Sequence, residues 1–135
     1  ELAGLVSKNN YGETVYNDPV AVAREMVQEL RDKQKCNLVV CLSHLGYKYD
    51  NAMIDDIKLA NQVDGIDLIL GGHTHTFLDE PTVVRNSNGH ETLVNQVGWS
   101  GIFLGRIDFT FNKNSKKKTD VRTAVLPVNI PVTTS

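Results

Sequence analysis

Three of the four histidines in this 135-residue chain fall in two short strings, Ser43-His44-Leu45-Gly46 and Gly71-Gly72-His73-Thr74-His75. Imidazole nitrogen is a ligand for zinc, manganese, iron or copper, and stands about 2.0–2.1 Å from a zinc ion. Each string follows a short apolar-rich run, Leu38-Val39-Val40-Cys41-Leu42 before the first and Ile66-Asp67-Leu68-Ile69-Leu70 before the second. Runs without polar alternation suit parallel strands buried on both faces. In an open α/β sheet the binding crevice lies outside the carboxyl ends of the strands. Neighbouring strands are about 4.8 Å apart, so His44 and the His73/His75 pair are expected to converge on one centre. Gly71 and Gly72 are expected to let the backbone turn sharply and approach a metal or phosphate, and Gly46 to do the same after His44. A single histidine after a strand is an ordinary loop residue. Three at one sheet edge, two of them behind a double glycine, point to a metal site. His90 follows Asn88-Gly89 and reads as a surface turn residue.

These residues need a scaffold, and the sequence supplies one. Asp18-Pro19 is a helix start, with Asp as N-cap and Pro at the first helical position. Val20, Ala23, Val27 and Leu30, with Met26 alongside, recur at helical spacing, opposite Arg24, Glu25, Glu29, Arg31 and Lys33; an amphipathic helix is expected over 19–34. Between the histidine strings, Met53, Ile54, Ile57 and Ala60 form a second helical stripe closed by Asp64-Gly65. Helix, strand, helix, strand implies a parallel α/β unit with a right-handed crossover. After His75 the character changes. Thr82-Val83-Val84 and Thr92-Leu93-Val94 flank the turn signal Asn86-Ser87-Asn88-Gly89. Phe103, Gly105, Ile107, Phe109 and Phe111 alternate with Leu104, Arg106, Asp108 and Thr110, a half-buried antiparallel strand whose partner is expected near 120–126. Pro127 and Pro131 are expected to end regular structure. Asn9-Asn10 and Tyr11-Gly12 suggest turns within an otherwise unassigned 1–17. The expected organisation is a single partial domain over 1–135, with an α/β part at 1–76 and antiparallel strands at 77–135.

The formal net charge of −2 gives no general attraction to nucleic acid or anionic membranes. The one basic run, Lys116-Lys117-Lys118, reads as a solvated hairpin loop. Cys36 and Cys41 fit neither a CxxC pair nor a zinc ribbon, and Cys41 reads as a small core residue. No apolar stretch is long enough for a transmembrane segment. The chain opens at Glu1 without a methionine, as expected of a cleaved or truncated precursor.

Val40-Cys41-Leu42-Ser43-His44-Leu45-Gly46 resembles the fourth metal motif of calcineurin-like metallophosphoesterases. Residues 67–76, with Gly71-Gly72-His73-Thr74-His75, resemble their closing GHxH motif in the double-glycine form typical of 5′-nucleotidases. Leu93-Val94-Asn95-Gln96-Val97-Gly98 and Leu104-Gly105-Arg106-Ile107-Asp108 resemble strands closing the second sheet of that family. The resemblance covers nearly all of the chain, fading at both ends. It implies the C-terminal half of a four-layer α/β/β/α sandwich, with a parallel βαβ part followed by antiparallel hairpins. It also implies that His44 and His73 bind one metal and His75 another. In such enzymes two divalent ions (Zn, Mn, Fe, Mg or Ca) clamp a phosphate during in-line attack on phosphorus. The substrate would be a nucleoside monophosphate or a related ester, and the location periplasmic, extracellular or at the cell envelope.

The family's DxH, GDxx and GNH[DE] motifs do not occur here, and Asn88-Gly89-His90 is not the last of them. Asp50 and Asp79 match no family ligand and read as capping or solvating the histidine loops. The resemblance therefore implies a partner, the amino-terminal half of the domain, which carries the leaving-group histidine; no catalytic residue is expected in this chain, and alone it is expected to be inactive. Two alternatives stand beside this. One is a self-contained mononuclear zinc site on His44, His73 and His75. The other is a non-catalytic assembly module whose uncovered sheet edge pairs with a second copy as a homodimer.

Overall fold

A computed structural model describes residues 6–128 of the chain. A short helix, α1 (Lys8–Tyr11), ends at Gly12 with φ 54°. Helix α2 (Pro19–Gln28) begins as its sequence requires: the Asp18 carboxylate accepts from the Ala21 amide at 2.7 Å, and proline occupies the first turn. Val20 and Val27 are buried, with Ala23 and Leu30 packed against them, while Val22 and Met26 remain exposed. The helix then widens into a π-helical turn, Glu29–Lys33, which carries Arg31. The Arg31 guanidinium donates to the carbonyls of Gly65 (2.8 Å) and Cys36 (2.9 Å) and to the Asp67 carboxylate. Asp67 also accepts from the Val39 amide at 2.8 Å. One side chain thus joins the helix to the segments that enter both histidine-bearing strands.

Strands β1 (Val40–Leu42) and β2 (Leu68–Leu70) pair in parallel, Val40 opposite Leu68 and Leu42 opposite Leu70. Helix α3 (Asp56–Gln62) connects them. It starts later than the apolar stripe predicts: Met53 and Ile54 lie in the preceding loop, Met53 half-exposed. The start is set by Asp55, which accepts from the Lys58 amide at 2.7 Å and pairs with the Lys58 ammonium.

The turn at 86–89 forms as expected. Asn86 Oδ1 accepts from the amides of Asn88 and His90, both at 3.0 Å, and β3 (Thr82–Arg85) pairs antiparallel with β4 (Glu91–Asn95). This hairpin does not begin a new sheet. β4 lies parallel to β2, giving the order β1-β2-β4-β3. The α/β class, with a parallel part followed by antiparallel hairpins, is as the sequence predicts. The core lies under β2 and β4: Leu59, Ala60, Val63, Ile66, Ile69 and Val94 are each 2 % exposed or less. The prediction that both histidine-bearing strands are buried on both faces holds for Leu68 and Ile69 of the central β2, but Leu70 at its end is 39 % exposed, and it fails for β1. As an edge strand β1 leaves Leu42 82 % exposed, because none of the described residues covers its outer side.

Strands β5 (Phe103–Phe111) and β6 (Lys118–Pro127) form a separate two-stranded ribbon. Alternate residues of β5 are half-buried and exposed, as the alternation predicts. β6 ends at Pro127; Pro131 lies outside the described residues. Lys118 is not part of a solvated loop. It pairs with Asp67 at 3.6 Å and stands 5.6 Å from the Phe109 ring centroid. Phe103 meets Phe77 edge to face at 5.8 Å. The Lys118–Asp67 and Phe103–Phe77 contacts, with the close approach of Gly105 to Asn95 and Val97, lay the ribbon against the sheet. Cys36 and Cys41 are free thiols; Cys41 packs against the core, and burial, reinforced by the Asp56 charge, raises its thiol pKa. Among the described residues no helix is long and apolar enough to cross a membrane.

Candidate metal centre

The last paired row of the sheet is Leu42, Leu70 and Asn95. Just beyond it the Ser43 amide donates to the Leu70 carbonyl and the Gly71 amide to the Asn95 carbonyl, each at 2.9 Å. The chain segments that follow, 43–47, 71–76 and 96–99, therefore leave the sheet side by side. His44 and His73 meet there, with ring centroids 5.1 Å apart and planes at 73°. His75, on the same loop as His73, lies exposed and stacks on Trp99 with centroids 5.5 Å apart and planes 10° apart.

The glycines act differently from the simple expectation. Gly71 and Gly72 do not supply the unusual backbone; the histidines do. His73 has φ 72° and His75 φ 51°, a region that residues with a Cβ rarely adopt and that concentrates at functional sites. The glycines supply room. A Cβ on Gly71 would lie 2.1 Å from Asp56 Oδ2, and one on Gly72 would lie 3.0 Å from His44 Nδ1. Gly46 needs both properties: its φ is 96°, and a Cβ there would stand 2.3 Å from the Tyr49 hydroxyl oxygen.

Two residues that sequence reasoning missed support these loops. Gln96 donates from Nε2 to the Gly72 carbonyl at 2.8 Å. Its Oε1 accepts from the Thr74 hydroxyl at 3.1 Å and from the Thr76 amide. The Thr74 hydroxyl in turn accepts from the Tyr47 amide at 3.0 Å, tying the two histidine loops together. Asp56, the first residue of α3, is fully buried. Its Oδ1 accepts from the Ser43 hydroxyl, while Oδ2 finds no hydrogen-bond partner among the described residues. Burial pushes its carboxyl pKa up to about 6, against the Ser43 hydrogen bond; the Asp55 charge raises it further and His44 lowers it. Asp56 lies in no recognisable string, and Gln96 lies in one read only as a strand. Each matters because the fold folds it back under a loop distant in sequence.

Asp50 and Asp79 are exposed and cap nothing among the described residues. The loop-capping aspartate is Asp55, which accepts from the Tyr49 amide at 2.9 Å. His90 stands at the opposite end of β2, its Nε2 2.8 Å from the Ile66 carbonyl, so it ties the hairpin to the sheet and is more than a surface turn residue.

The donor set fits a divalent ion in part. The edge-to-face pair His44/His73 is close enough for one nitrogen from each ring to meet a single ion at about 2.0–2.1 Å. The buried, unpartnered Asp56 Oδ2 gives the floor of the site a polar character. Among the described residues, however, no group of three or more His, Cys, Asp or Glu stands close enough to hold a metal ion. His44, His73 and His75 thus do not gather into one three-nitrogen site.

No family model matches the chain. It is 38% identical over 116 residues to the trifunctional nucleotide phosphoesterase protein YfkN of Bacillus subtilis, a match covering 85% of this chain and 7% of that protein. The 5′-nucleotidase precursor of Thermus thermophilus is 32% identical and superposes with a TM-score of 0.72, over 84% of this chain and 23% of the other. The sulfate thiohydrolase SoxB of the same genus and species is 33% identical with a TM-score of 0.55, over 77% of this chain and 17% of the other. The chain therefore spans less than a quarter of the length of each of these proteins.

Proposed function

The chain is of the 5′-nucleotidase type in sequence and in fold, and from that premise we propose that it forms one wall of a divalent-metal phosphoesterase site. The observation that carries this reading is the meeting of His44 and His73 at 5.1 Å beyond the carboxyl ends of two parallel strands. His44 and His73 would hold one ion and His75 a second. Bound divalent ions supply charge stabilisation at a phosphoryl group and lower the pKa of water. The chain's own contribution is placement. The left-handed His73 and His75, the Gln96 amide beneath their loop and the room left by Gly71 and Gly72 fix the rings at the sheet edge.

The substrate class is a nucleoside monophosphate or a related phosphate ester. The family's bridging carboxylate and leaving-group histidine belong to motifs absent from this sequence, so hydrolysis requires a segment that carries them. The chain is then the later part of one phosphoesterase domain, its α/β sheet extended by the 82–95 hairpin and followed by the β5–β6 ribbon, and alone it is inert. The mononuclear alternative is weaker, since it needs the three-residue group that the described residues do not form. The family's company supports a periplasmic, extracellular or cell-envelope location.

Hydrolysis of a chromogenic phosphate monoester in the presence of manganese tests this directly. The expected result for the chain alone is no turnover above buffer. Combined with a polypeptide carrying DxH, GDxx and GNH[DE], the chain should hydrolyse AMP, and His73→Ala should lower that rate by at least about 100-fold. Turnover by the isolated chain that His73→Ala abolishes would sink the split-site reading.

A further inference from the structure

Trp99 is the only tryptophan in the chain, and it is 55 % exposed. Its position follows from register. Phe77 and Val97 form an antiparallel bridge, and the Gly98 amide donates to the Thr76 carbonyl at 2.8 Å. Two residues back on one arm and two forward on the other, His75 and Trp99 stand opposite each other. The backbone is built to keep that pairing. Gly98 has φ 77°, followed by Ser100 at 59° and Gly101 at 69°, and a Cβ on Gly98 would lie 2.1 Å from the Phe77 ring.

The two rings lie nearly parallel, with centroids 5.5 Å apart, inside the 4.5–7 Å range of aromatic pairs. No hydrogen bond orients the His75 ring among the described residues, although its backbone is in the left-handed region. Ligating histidines are ordinarily oriented by a hydrogen bond from the second ring nitrogen to a carboxylate, carbonyl or water. Here an indole face does that work.

The geometry points to Trp99 as a positioning residue that holds the His75 imidazole in one orientation for a divalent cation. This rests on the reading of His75 as a ligand. The ring that Trp99 stacks on is that of His75, so His75 is where its effect is read.

Nuclear magnetic resonance of the histidine ring protons during zinc titration of the full chain tests the assignment. In the parent chain the His75 ring protons should be shifted upfield by the stacked indole, and zinc should perturb them. Trp99→Leu should abolish the upfield shift and raise roughly tenfold the zinc concentration needed to perturb the His75 ring, with the His44 resonance unchanged as evidence of an intact fold. Trp99→Phe should restore both properties to within about threefold. An unshifted His75 ring in the parent chain overturns the stack and leaves the metal-wall reading standing. An equal zinc dependence of the His75 ring in the parent chain and Trp99→Leu overturns positioning. A stacked His75 that zinc does not perturb overturns the ligand reading and this inference with it.

Discussion

Gly71, in the loop after β2, and Asp56, at the start of α3, are distant in sequence, yet each restricts what the other can be. A methyl group at Gly71 would have to displace a fully buried carboxylate. Gly71→Ala is therefore expected to cost about 1–3 kcal/mol of stability, measured by urea unfolding; a loss below about 0.5 kcal/mol would mean that Asp56 moves aside freely. Asp56 also gives the metal-free chain a pH dependence. Its carboxyl pKa is raised from 3.8 to about 6 in the folded protein, so the folded state holds that proton more tightly than the unfolded state. The corresponding stabilisation is complete below the unfolded value and is lost as pH rises through about 6. Stability should fall by up to about 3 kcal/mol over that range, and Asp56→Asn should remove this fall; an equally steep fall in the variant would assign it elsewhere. At this scale the histidines were legible because their type and spacing carry the chemistry. Asp56, Gln96 and Trp99 were not, because their roles exist only once loops from different strands leave the sheet together. The left-handed backbone at His73 and His75 was also hidden, since the adjacent double glycine was the more obvious place to expect a turn.

Among the elements, α3 shows how two sequence signals compete. Met53 and Ile54 continue the apolar period of Ile57 and Ala60, so periodicity alone starts the helix early. Asp55 wins because its carboxylate caps the Lys58 amide and binds both the Tyr49 amide and the Lys58 ammonium. Burial works against ionisation of Asp55, but the bonds from Lys58 and the backbone outweigh it and lower the carboxyl pKa. Asp55→Ala should cost roughly 2 kcal/mol, with Asp55→Asn recovering part; denaturant midpoints of the two variants decide it, and equal midpoints would discount the charge. The Asn-Gly turn and the alternation of β5 were fully legible, because each is a local pattern. The edge position of β1 was not. An apolar run looks the same whether a strand is central or lies at an edge, and the β2–β4 pairing that sets the strand order joins segments with a whole hairpin arm between them.

The whole molecule consists of a packed sheet with one open edge and a ribbon laid against it. Along the edge, Val22 and Met26 of α2 and Leu42 of β1 line an apolar groove of about 450 Å³. The ribbon's residue contacts are mostly within itself, and it meets the sheet through the Phe77–Phe103 pair, the Lys118–Asp67 ion pair and the close approach of Gly105 to Asn95 and Val97. Elements held by so few contacts open at lower free energy than the core. The chain enters the ribbon through residues 96–102, the segment that carries Trp99. Melting followed by tryptophan emission should therefore precede melting followed by far-ultraviolet circular dichroism, and coincident curves would indicate a single cooperative unit. The order of events then has a meaning for the centre itself. Local opening of the ribbon would release His75 while His44 and His73, anchored on β1 and β2, stayed in place, so a site of this design would lose one ion before the other.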